Sequence, residues 1–323
     1  GIASPACRKA TEGFVFEPKT AVDLTLDPFS DAYFDQQIAV YREIAGRALD
    51  QDTGEITPID VDARVNTANP YGENNIAFIS KHCRTVLTAL MVANPKPGAR
   101  VLDLGAGWGL SSEMMAYAGA EVTAVDINPA FVELIDRRTA RTGLPITAVQ
   151  GNFDTVEPGQ DFDMAFFYEC LHHAVRPLDT LKRVADFLGP QGRLVFAGEP
   201  VNTIWWPHWG MRLDAESVYV MRKHGWFESG WSAEFICECI RRVGFEPVML
   251  HGIGIDGNDI CVADRIGATD MRPLVVPPHT APAPPPVPHT TPAPAAPVPE
   301  PKMQMSNAKR LRRKLKAKIK GLF

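Results

Sequence analysis

Residues 101–109 read Val-Leu-Asp-Leu-Gly-Ala-Gly-Trp-Gly, an apolar stretch that ends in three alternating glycines. At Gly105, Gly107 and Gly109 the missing Cβ atom lets the backbone turn sharply at the end of a strand and approach a ligand closely. Asp126 follows Gly109 by 17 residues, at the end of the next apolar stretch, and its carboxylate can accept hydrogen bonds from both hydroxyls of a ribose. This order of strand, glycines, strand and acid predicts an α/β sheet that binds a nucleoside-containing cofactor.

The spacing of the glycines separates two cofactor classes. A dinucleotide site has the pattern Gly-x-Gly-x-x-Gly, which would place its third glycine at position 110, where Leu110 stands. The segment instead resembles motif I of the class I S-adenosylmethionine-dependent methyltransferases, and the resemblance covers roughly residues 76–266. It implies a Rossmann-like seven-stranded methyltransferase sheet, S-adenosyl-L-methionine as the cofactor, and Asp126 as the ribose-binding acid.

The same resemblance places the remaining cofactor contacts. Asn152, after the third strand, occupies the position where this family contacts the adenine, with Phe153 supplying a ring face; alternatively, Asn152 serves a turn. The expected cofactor-binding residues are Asp103, Gly105, Ala106, Gly107, Gly109, Asp126, Ile127, Asn152, Phe153 and Tyr168.

Hydrophobic periodicity divides the chain into four parts. An N-terminal helical extension (1–75) precedes the methyltransferase domain (76–270), which carries a Trp-rich insertion (200–230); a disordered Pro-rich linker (271–302) and a basic amphipathic helix (303–323) follow. Strands are expected at 101–104, 121–126, 146–149, 163–168, 193–197, 247–251 and 259–263, and helices at 29–49, 76–93, from 110, at 129–142, from Pro177 to a stop at Gly189, and around 235–243.

The candidate catalytic groups follow the fourth and fifth strands. Ligands in open parallel sheets bind beyond the carboxyl ends of the strands, so the segment Tyr-Glu-Cys-Leu-His-His-Ala at 168–174 should border the methyl donor. A neutral hydroxyl is a poor nucleophile until a base removes its proton, and we expect His173, ahead of His172, to be that base. Glu169 and Glu199 are the other candidates. Alternatively, the imidazoles cap the helix from Pro177 or pack beneath the cofactor.

Two classes of acceptor and a metal are disfavoured by the motifs present. A similar Leu-His-His segment occurs in many small-molecule methyltransferases, and the Asn/Asp-Pro-Pro-Tyr/Phe pattern of amino-methylating nucleic-acid enzymes is missing, so nucleic acid is not expected as a partner. Glu199 could ligate a divalent ion with Glu169 or a histidine, but no spacing requires it. The expected metal is therefore none. The six cysteines show neither zinc-site nor disulfide spacing, which indicates reduced thiols.

The Trp-rich insertion suggests an acceptor. Five of the six tryptophans fall between residues 205 and 231, and exposed indoles offer flat faces to sugar rings. The insertion resembles that of bacterial methyltransferases associated with glycosyltransferases; packing of an irregular lobe is the alternative. The expected substrate-binding residues are Tyr71, Trp205, Trp206, His208, Trp209, Arg212 and Asp214.

These features together predict an S-adenosylmethionine-dependent O-methyltransferase that acts on a glycan or glycan precursor at the cytoplasmic face of the membrane. A methyltransferase of a small soluble metabolite is the first alternative, and a non-catalytic cofactor-binding scaffold or targeting module is the second. No apolar run reaches the roughly 20 residues of a membrane-spanning helix, and the N-terminus has no signal-peptide pattern, so a cytoplasmic location is expected.

The C-terminal segment differs in charge from the rest of the chain. The chain's net charge is −5, and residues 301–323 carry nine Lys and Arg with no acid, so the first 300 residues carry −14. Within 308–323, Leu311, Leu315, Ile319 and Leu322 recur every three or four residues, which is typical of a helix on an anionic membrane surface. Nucleic acid, an acidic protein and solvent are the alternatives for this segment. The preceding linker holds 13 of the 28 prolines and would act as an extended spacer.

A chain truncated after Pro301 tests the tail. The full chain should co-sediment with phosphatidylserine or phosphatidylglycerol vesicles at low salt, because each basic residue near such a surface contributes about 1 kcal/mol. Binding should weaken as ionic strength rises, and the truncated chain should stay in the supernatant. Equal sedimentation of both chains would contradict the membrane role, and preferential binding of the full chain to RNA would assign the tail to nucleic acid.

Overall fold

The computed structural model describes residues 11, 13–252, 259–269 and 271–275. The helices are α1 (Asp31–Ala45), α2 (Asp62–Val65), α3 (Ile76–Ala93), α4 (Leu110–Tyr117), α5 (Pro129–Thr142), α6 (Pro177–Phe187), α7 (Ala215–His224) and α8 (Ala233–Arg242), with a 3-10 turn at Leu171–His173. The strands are β1 (Arg100–Leu104), β2 (Glu121–Asp126), β3 (Ile146–Gln150), β4 (Phe162–Tyr168), β5 (Leu188–Ala197), β6 (Trp209–Met211), β7 (Ser229–Trp231), β8 (Phe245–Leu250) and β9 (Ile260–Arg265).

Seven of the described strands form one sheet in the order β3-β2-β1-β4-β5-β9-β8. The pairs from β3 to β5 are parallel, and β9 is antiparallel to both of its neighbours. This is the Rossmann-like methyltransferase sheet that the sequence predicts. The chain leaves β1 on one side toward β2 and β3 and returns to β4 on the other, so the crevice of a doubly wound sheet opens at the ends of β1 and β4.

The two faces of the sheet bury alternate residues of the same strands. Leu102 of β1 and Phe167 of β4 belong to one core cluster, together with the inward side chains of α1, α6 and α8. Val101 and Phe166 belong to the other, together with residues of α3 and α4. Because successive side chains of a strand point to opposite faces, burial on both faces gives the near-continuous apolar runs seen in the sequence.

Three predicted boundaries need correction. The first helix was expected over 29–49 but ends at Ala45, because Gly46 adopts a left-handed conformation with φ of 69° and closes it. The helix from Pro177 ends at Phe187 rather than at Gly189, because Leu188 already pairs with Phe162 in the sheet. Residues 271–275, expected in the linker, are held to the domain: Val275 donates its N–H to Val92, and Asn94 donates its side-chain amide to the carbonyl of Pro273.

The rest of the predicted linker and the helix at 303–323 lie outside the described residues. Among the described helices, α3 has the length and composition of a membrane span, with a mean hydropathy of 1.3. Val86, Ala89 and Leu90 of α3 are nevertheless buried in the core cluster that covers the sheet. This packing makes α3 a core helix of the domain.

The buried Arg138 of α5 ties the N-terminal segment to the sheet layer. Its guanidinium makes two hydrogen bonds to the carboxylate of Glu113 on α4, at 2.5 and 3.0 Å. The same guanidinium donates to the carbonyl oxygens of Arg64 and Thr67, each at 3.0 Å. Since these carbonyls precede Tyr71, Arg138 fixes the segment that leads into the cavity described below.

Arg138→Met should lower the free energy of unfolding by about 3–5 kcal/mol, because it leaves a part-buried carboxylate and several carbonyls without their donor. The neighbouring Arg137 provides a matched control: it pairs with Asp62 and Glu133 on the surface, where solvent screens ion pairs. Arg137→Met should therefore leave urea unfolding unchanged within error. Equal losses in the two variants would contradict the assignment.

Candidate active site

A cavity of about 520 Å³ lies at the carboxyl ends of the parallel strands. Its wall is formed by the loops after β1, β2, β3 and β4 together with residues 49–59, Tyr71, α3 and Trp226–Phe227. Its volume falls in the range of about 300–1,000 Å³ typical of small-ligand sites. The cavity coincides with the crevice that the strand order predicts.

The glycine loop after β1 requires glycine at two positions for packing. A Cβ atom on Gly105 would lie 2.7 Å from Cβ of Cys170, and one on Gly109 would lie 2.8 Å from Ile135. Gly107 differs, because a Cβ atom there would point into open space and the residue lines the cavity. With φ of 51° and no side chain, Gly107 leaves its backbone accessible to a ligand.

Asp103 and Asp126 hold this loop from two sides. The buried Asp103 carboxylate accepts hydrogen bonds from the hydroxyls of Ser111 and Ser112 at the start of α4. Asp126 accepts from the backbone N–H of Gly107 at 2.7 Å and of Asn128 at 2.8 Å. Burial raises the pKa of each to about 6 against the opposing hydrogen bonds. Asp126 lines the cavity, whereas Asp103 lies behind the loop and positions it.

The other expected cofactor residues line the cavity, but the side chain of Asn152 is already hydrogen-bonded within a turn. Ala106, Ile127, Asn152, Phe153 and Tyr168 all line the cavity. The side-chain oxygen of Asn152 accepts from the N–H groups of Asp154 and Thr155, which is the turn role left open by the sequence. The adenine N6 amino group is a hydrogen-bond donor. The Asn152 side-chain oxygen that we expected to accept from it already accepts from the two N–H groups of this turn.

The turn after β4 is organised by Glu199, which leaves β5. Its buried carboxylate accepts hydrogen bonds from the backbone N–H groups of Cys170, Leu171 and His172. The ring of His172 adds a contact from Nδ1 at 2.7 Å. Burial opposes ionisation of Glu199, but His172 and these donors hold its pKa below the ordinary value. Glu199 and His172 lie behind the cavity wall and shape the turn.

His173 lines the cavity, and its charge is set by Glu55. Nδ1 of His173 lies 2.9 Å from the carbonyl oxygen of Phe227 and 3.2 Å from Oε1 of Glu55. Burial lowers the pKa of His173, but the Glu55 carboxylate outweighs it and raises the pKa to about 10. A histidine that already carries its proton cannot accept another. The general-base role expected for His173 stays a prediction, and the ion pair with Glu55 opposes it.

Glu169 is the cavity-lining carboxyl group with a pKa suited to proton transfer. Its φ of 52° lies in the left-handed region, which is unusual for a side chain with a Cβ atom and recurs at functional sites. Burial raises the pKa of Glu169 to about 7, with Glu199 adding to the shift and Lys81 opposing it. A base titrating near the working pH transfers protons most effectively.

Aromatic rings surround Glu169. His82 contacts the hydroxyl of Tyr168 at 2.6 Å through Nδ1, and the same nitrogen lies 3.8 Å from Glu169. Burial lowers the pKa of His82, so its ring is neutral. Tyr71 stacks on His82 with ring centroids 5.3 Å apart, and it also contacts Trp108 of the glycine loop. This end of the cavity therefore combines aromatic rings with the ionisable carboxyl group of Glu169.

Sequence reasoning missed Glu55, Phe78, His82, Phe131, Trp226 and Phe227 on this wall. Glu55 falls in a polar stretch without periodicity, and His82 and Phe78 fall in a helix where a ring indicates only a core position. Trp108, which also lines the cavity, could have been predicted from sequence because it lies between Gly107 and Gly109 in the glycine loop.

Trp226 and Phe227 of the Trp-rich insertion line the cavity, but most residues of the insertion that we expected to bind the acceptor do not. Trp209 is 4% exposed, and its Nε1 donates to the carbonyl of Pro28, so the expectation of an exposed indole is wrong for this residue. Trp206 donates to the carbonyl of Met211, and Trp205 packs against the same core cluster. Arg212 pairs with Asp214, which caps α7. Half-buried His208 is likewise not on the wall, so of the expected substrate residues only Tyr71 lines the cavity.

Comparison with known proteins identifies the family. A family model described as a methyltransferase domain matches residues 76–250, more than half of the chain. The chain belongs to this methyltransferase family. Its S-adenosylmethionine dependence, expected from the glycine loop and Asp126, is thereby confirmed.

Curated relatives match a shorter part. The methyltransferase is 33% identical over 102 residues to a ubiquinone biosynthesis O-methyltransferase of Proteus mirabilis and 40% identical over 101 residues to one of Xanthomonas campestris pv. campestris. The two matches cover 31% and 30% of this chain, respectively, and 42% of each relative. The matched part of this chain therefore spans about two fifths of each relative's length. A methyltransferase of Haloferax volcanii, solved in complex with the Trm112 methyltransferase activator, has the same fold: 19% identity, TM-score 0.50, covering 65% of this chain and 99% of that chain.

The residues present fit S-adenosylmethionine. The open space beside Gly107 accepts a ligand close to the backbone, and Asp126 offers carboxylate oxygens to ribose hydroxyls. The cofactor supplies an electrophilic methyl group on a positively charged sulfur. Cavity-lining carboxyl groups, among them Asp126, Glu55 and Glu169, favour such a cation electrostatically.

Asp126→Ala should weaken the binding of S-adenosylmethionine by about 10- to 100-fold, because a hydrogen bond to a charged group is worth roughly 1.5–3 kcal/mol. Isothermal titration calorimetry measures the change. Asp136→Ala, on the exposed side of α5, is the control and should bind like the parent. Equal affinity of the Asp126 variant and the parent would contradict the ribose assignment.

Proposed function

We propose that this methyltransferase transfers a methyl group to a hydroxyl of a small, ring-bearing acceptor, with Glu169 as general base. The observation that carries the proposal is the placement of the Glu169 carboxyl group, with a pKa of about 7, on a wall that also carries Tyr71, Phe78 and Trp108. Flat apolar rings favour a planar acceptor by stacking. The carboxylate would take the hydroxyl proton as the oxygen bonds to the methyl carbon, and the carbon–sulfur bond of S-adenosylmethionine would break to leave the neutral thioether S-adenosylhomocysteine.

The size and lining of the cavity support a small acceptor. About 520 Å³ must accommodate the cofactor and the reacting part of the acceptor together. The relatives carry the name ubiquinone biosynthesis O-methyltransferase, which is compatible with a hydroxyl as the methylated group. Both points favour the small-metabolite alternative of the sequence analysis.

The glycan acceptor expected from the sequence has weaker support. It was based on exposed tryptophans, and in the structure Trp209 is buried and Trp205 and Trp206 pack against the core cluster that contains it, while Trp226 lines the cavity. Arg212 and Asp214 bind each other rather than facing the cavity. We therefore propose the small acceptor in its place.

Transfer of labelled methyl groups to a panel of catechols and hydroxylated quinols should exceed transfer to soluble and lipid-linked oligosaccharides. Glu169→Gln should lower kcat by about 10²- to 10⁴-fold while the binding of S-adenosylmethionine stays intact. Since only the ionised carboxylate accepts a proton, kcat of the parent should rise with pH through about 7, and the variant should lack this limb.

Glu157→Gln, which removes an exposed partner of Arg183, is the control and should match the parent. Transfer to oligosaccharides alone would refute the small acceptor. Full activity of Glu169→Gln would place the base elsewhere, with His173→Ala the next variant to measure. Cofactor binding without transfer to any acceptor would favour the non-catalytic alternative.

A further inference from the structure

Three side chains beside the cavity have the arrangement of metal ligands. His172 and His173 lie in the 3-10 turn after β4, and Glu228 directly precedes β7. Each offers one ligand atom, and the three atoms lie within 4.8 Å of one another. Two atoms that bind one zinc ion at about 2.0–2.1 Å lie roughly 3.3 Å apart, so small side-chain movements would bring all three into coordination distance.

The other ring nitrogens of both histidines are already oriented by oxygen atoms. Nδ1 of His172 lies 2.7 Å from the Glu199 carboxylate, while its Nε2 lies 3.6 Å from Oε2 of Glu228. Nδ1 of His173 contacts the carbonyl of Phe227 and the carboxylate of Glu55, so Nε2 can bind a metal ion once the ion displaces the proton that Nε2 carries in the metal-free chain. Histidines that bind metals almost always donate their second N–H to a carboxylate or carbonyl, because this fixes the ring and its tautomer.

The charges around the two rings favour a cation. The carboxylates of Glu55, Glu199 and Glu228 contact the imidazoles. The guanidinium of Arg212 reaches Glu228 at 3.4 Å, but it is shared with Asp214 at 3.0 Å. Negative charge therefore exceeds fixed positive charge at side chains that are mostly buried, where interactions with an ion are screened least.

We propose that His172, His173 and Glu228 bind a divalent transition-metal ion beside the cavity. Two imidazoles and one carboxylate are a ligand set for zinc, cobalt or iron, whereas magnesium and calcium select oxygen ligands. His173 lines the cavity, so the ion would border the space for the acceptor. Any action of the ion on an acceptor hydroxyl rests on the proposed function, but the binding itself does not.

From the sequence, we considered a divalent ion only at Glu199, with Glu169 or a histidine, and expected no metal. Glu228 lies 55 residues after His173, and the antiparallel pair of β6 and β7 brings it back to the turn. Ser229 fixes the approach, because its hydroxyl donates to the carbonyl of His172 at 2.7 Å. Spacing rules that scan neighbouring residues cannot detect a ligand set closed by such a distant strand.

Metal binding to the full chain tests the proposal. After removal of metals with a chelator, calorimetric titration with Zn²⁺ should show one ion per chain, and Mg²⁺ should show none. Co²⁺ should give d–d absorption without the charge-transfer band of a thiolate ligand, which excludes the cysteines. Urea unfolding in the absence of metal shows whether each variant is folded.

The variants distinguish the cluster from other surface sites. His172→Gln and Glu228→Gln should weaken Zn²⁺ binding by roughly 100-fold or more, and Glu55→Gln should weaken it by about 10- to 100-fold through His173. His251→Gln is the control, since this exposed histidine lies outside the cluster, and it should bind Zn²⁺ like the parent. If the buried variants do not fold, Glu55→Gln and the Co²⁺ spectrum of the parent decide.

Absence of one-to-one Zn²⁺ or Co²⁺ binding, or equal affinity in parent and Glu55→Gln, would overturn the metal site. A metal-free chain that methylates at the full rate and binds no ion overturns this inference and leaves the proposed function standing. A chain that binds one Zn²⁺ ion through the cluster but methylates no acceptor supports the metal site and overturns the proposed function.

Discussion

The hydrogen bonds from the turn after β4 to the buried Glu199 carboxylate fix the part of the cavity wall that carries Glu169 and His173. Three successive backbone N–H groups donate to this one side chain, which leaves the adjacent strand β5. Glu169 precedes the turn with its backbone in the left-handed region, and His173 ends it. Because unpaired buried N–H groups are costly, the turn has little freedom to relax, and both side chains keep their positions on the cavity wall.

Chemically similar groups around this turn have different pKa values. Glu199 accepts four contacts and stays ionised, whereas Glu169, half-buried and not surrounded by donors, reaches a pKa of about 7. His173 beside Glu55 is held protonated, with a pKa of about 10. Environments that push the pKa values of neighbouring groups apart separate an acid from a base at one pH. This separation supports Glu169, rather than His173, as the base of the proposed reaction.

Much of the fold could be predicted from local sequence patterns, whereas several residues of the site could not. Helices Ile76–Ala93 and Pro129–Thr142 agree with the predicted bounds, because Asn75 and Asn128 cap their first turns and Pro95–Pro97 and Gly143 stop them. The glycine loop and Asp126 could be predicted from the sequence because each lies at the end of a strand. Glu55 and Glu228 were not, since only tertiary packing brings them to His173 and His172. The tryptophans misled for the opposite reason: composition does not distinguish a ring that lines a cavity from one that fills a core, and Trp209 fills a core.

Two parts of the chain line the cavity. Gly107 and Asp126 lie within residues 76–250, the region that the methyltransferase family shares. Glu55, Thr57, Ile59 and Tyr71 also line the cavity and precede that region. Arg138 joins the two, because it reaches from α5 to the carbonyls that lead into Tyr71. Residues 49–71 also contact the cofactor loops directly, because the Asn128 side chain donates to the carbonyl of Thr57 and Tyr71 packs against Trp108 of the glycine loop.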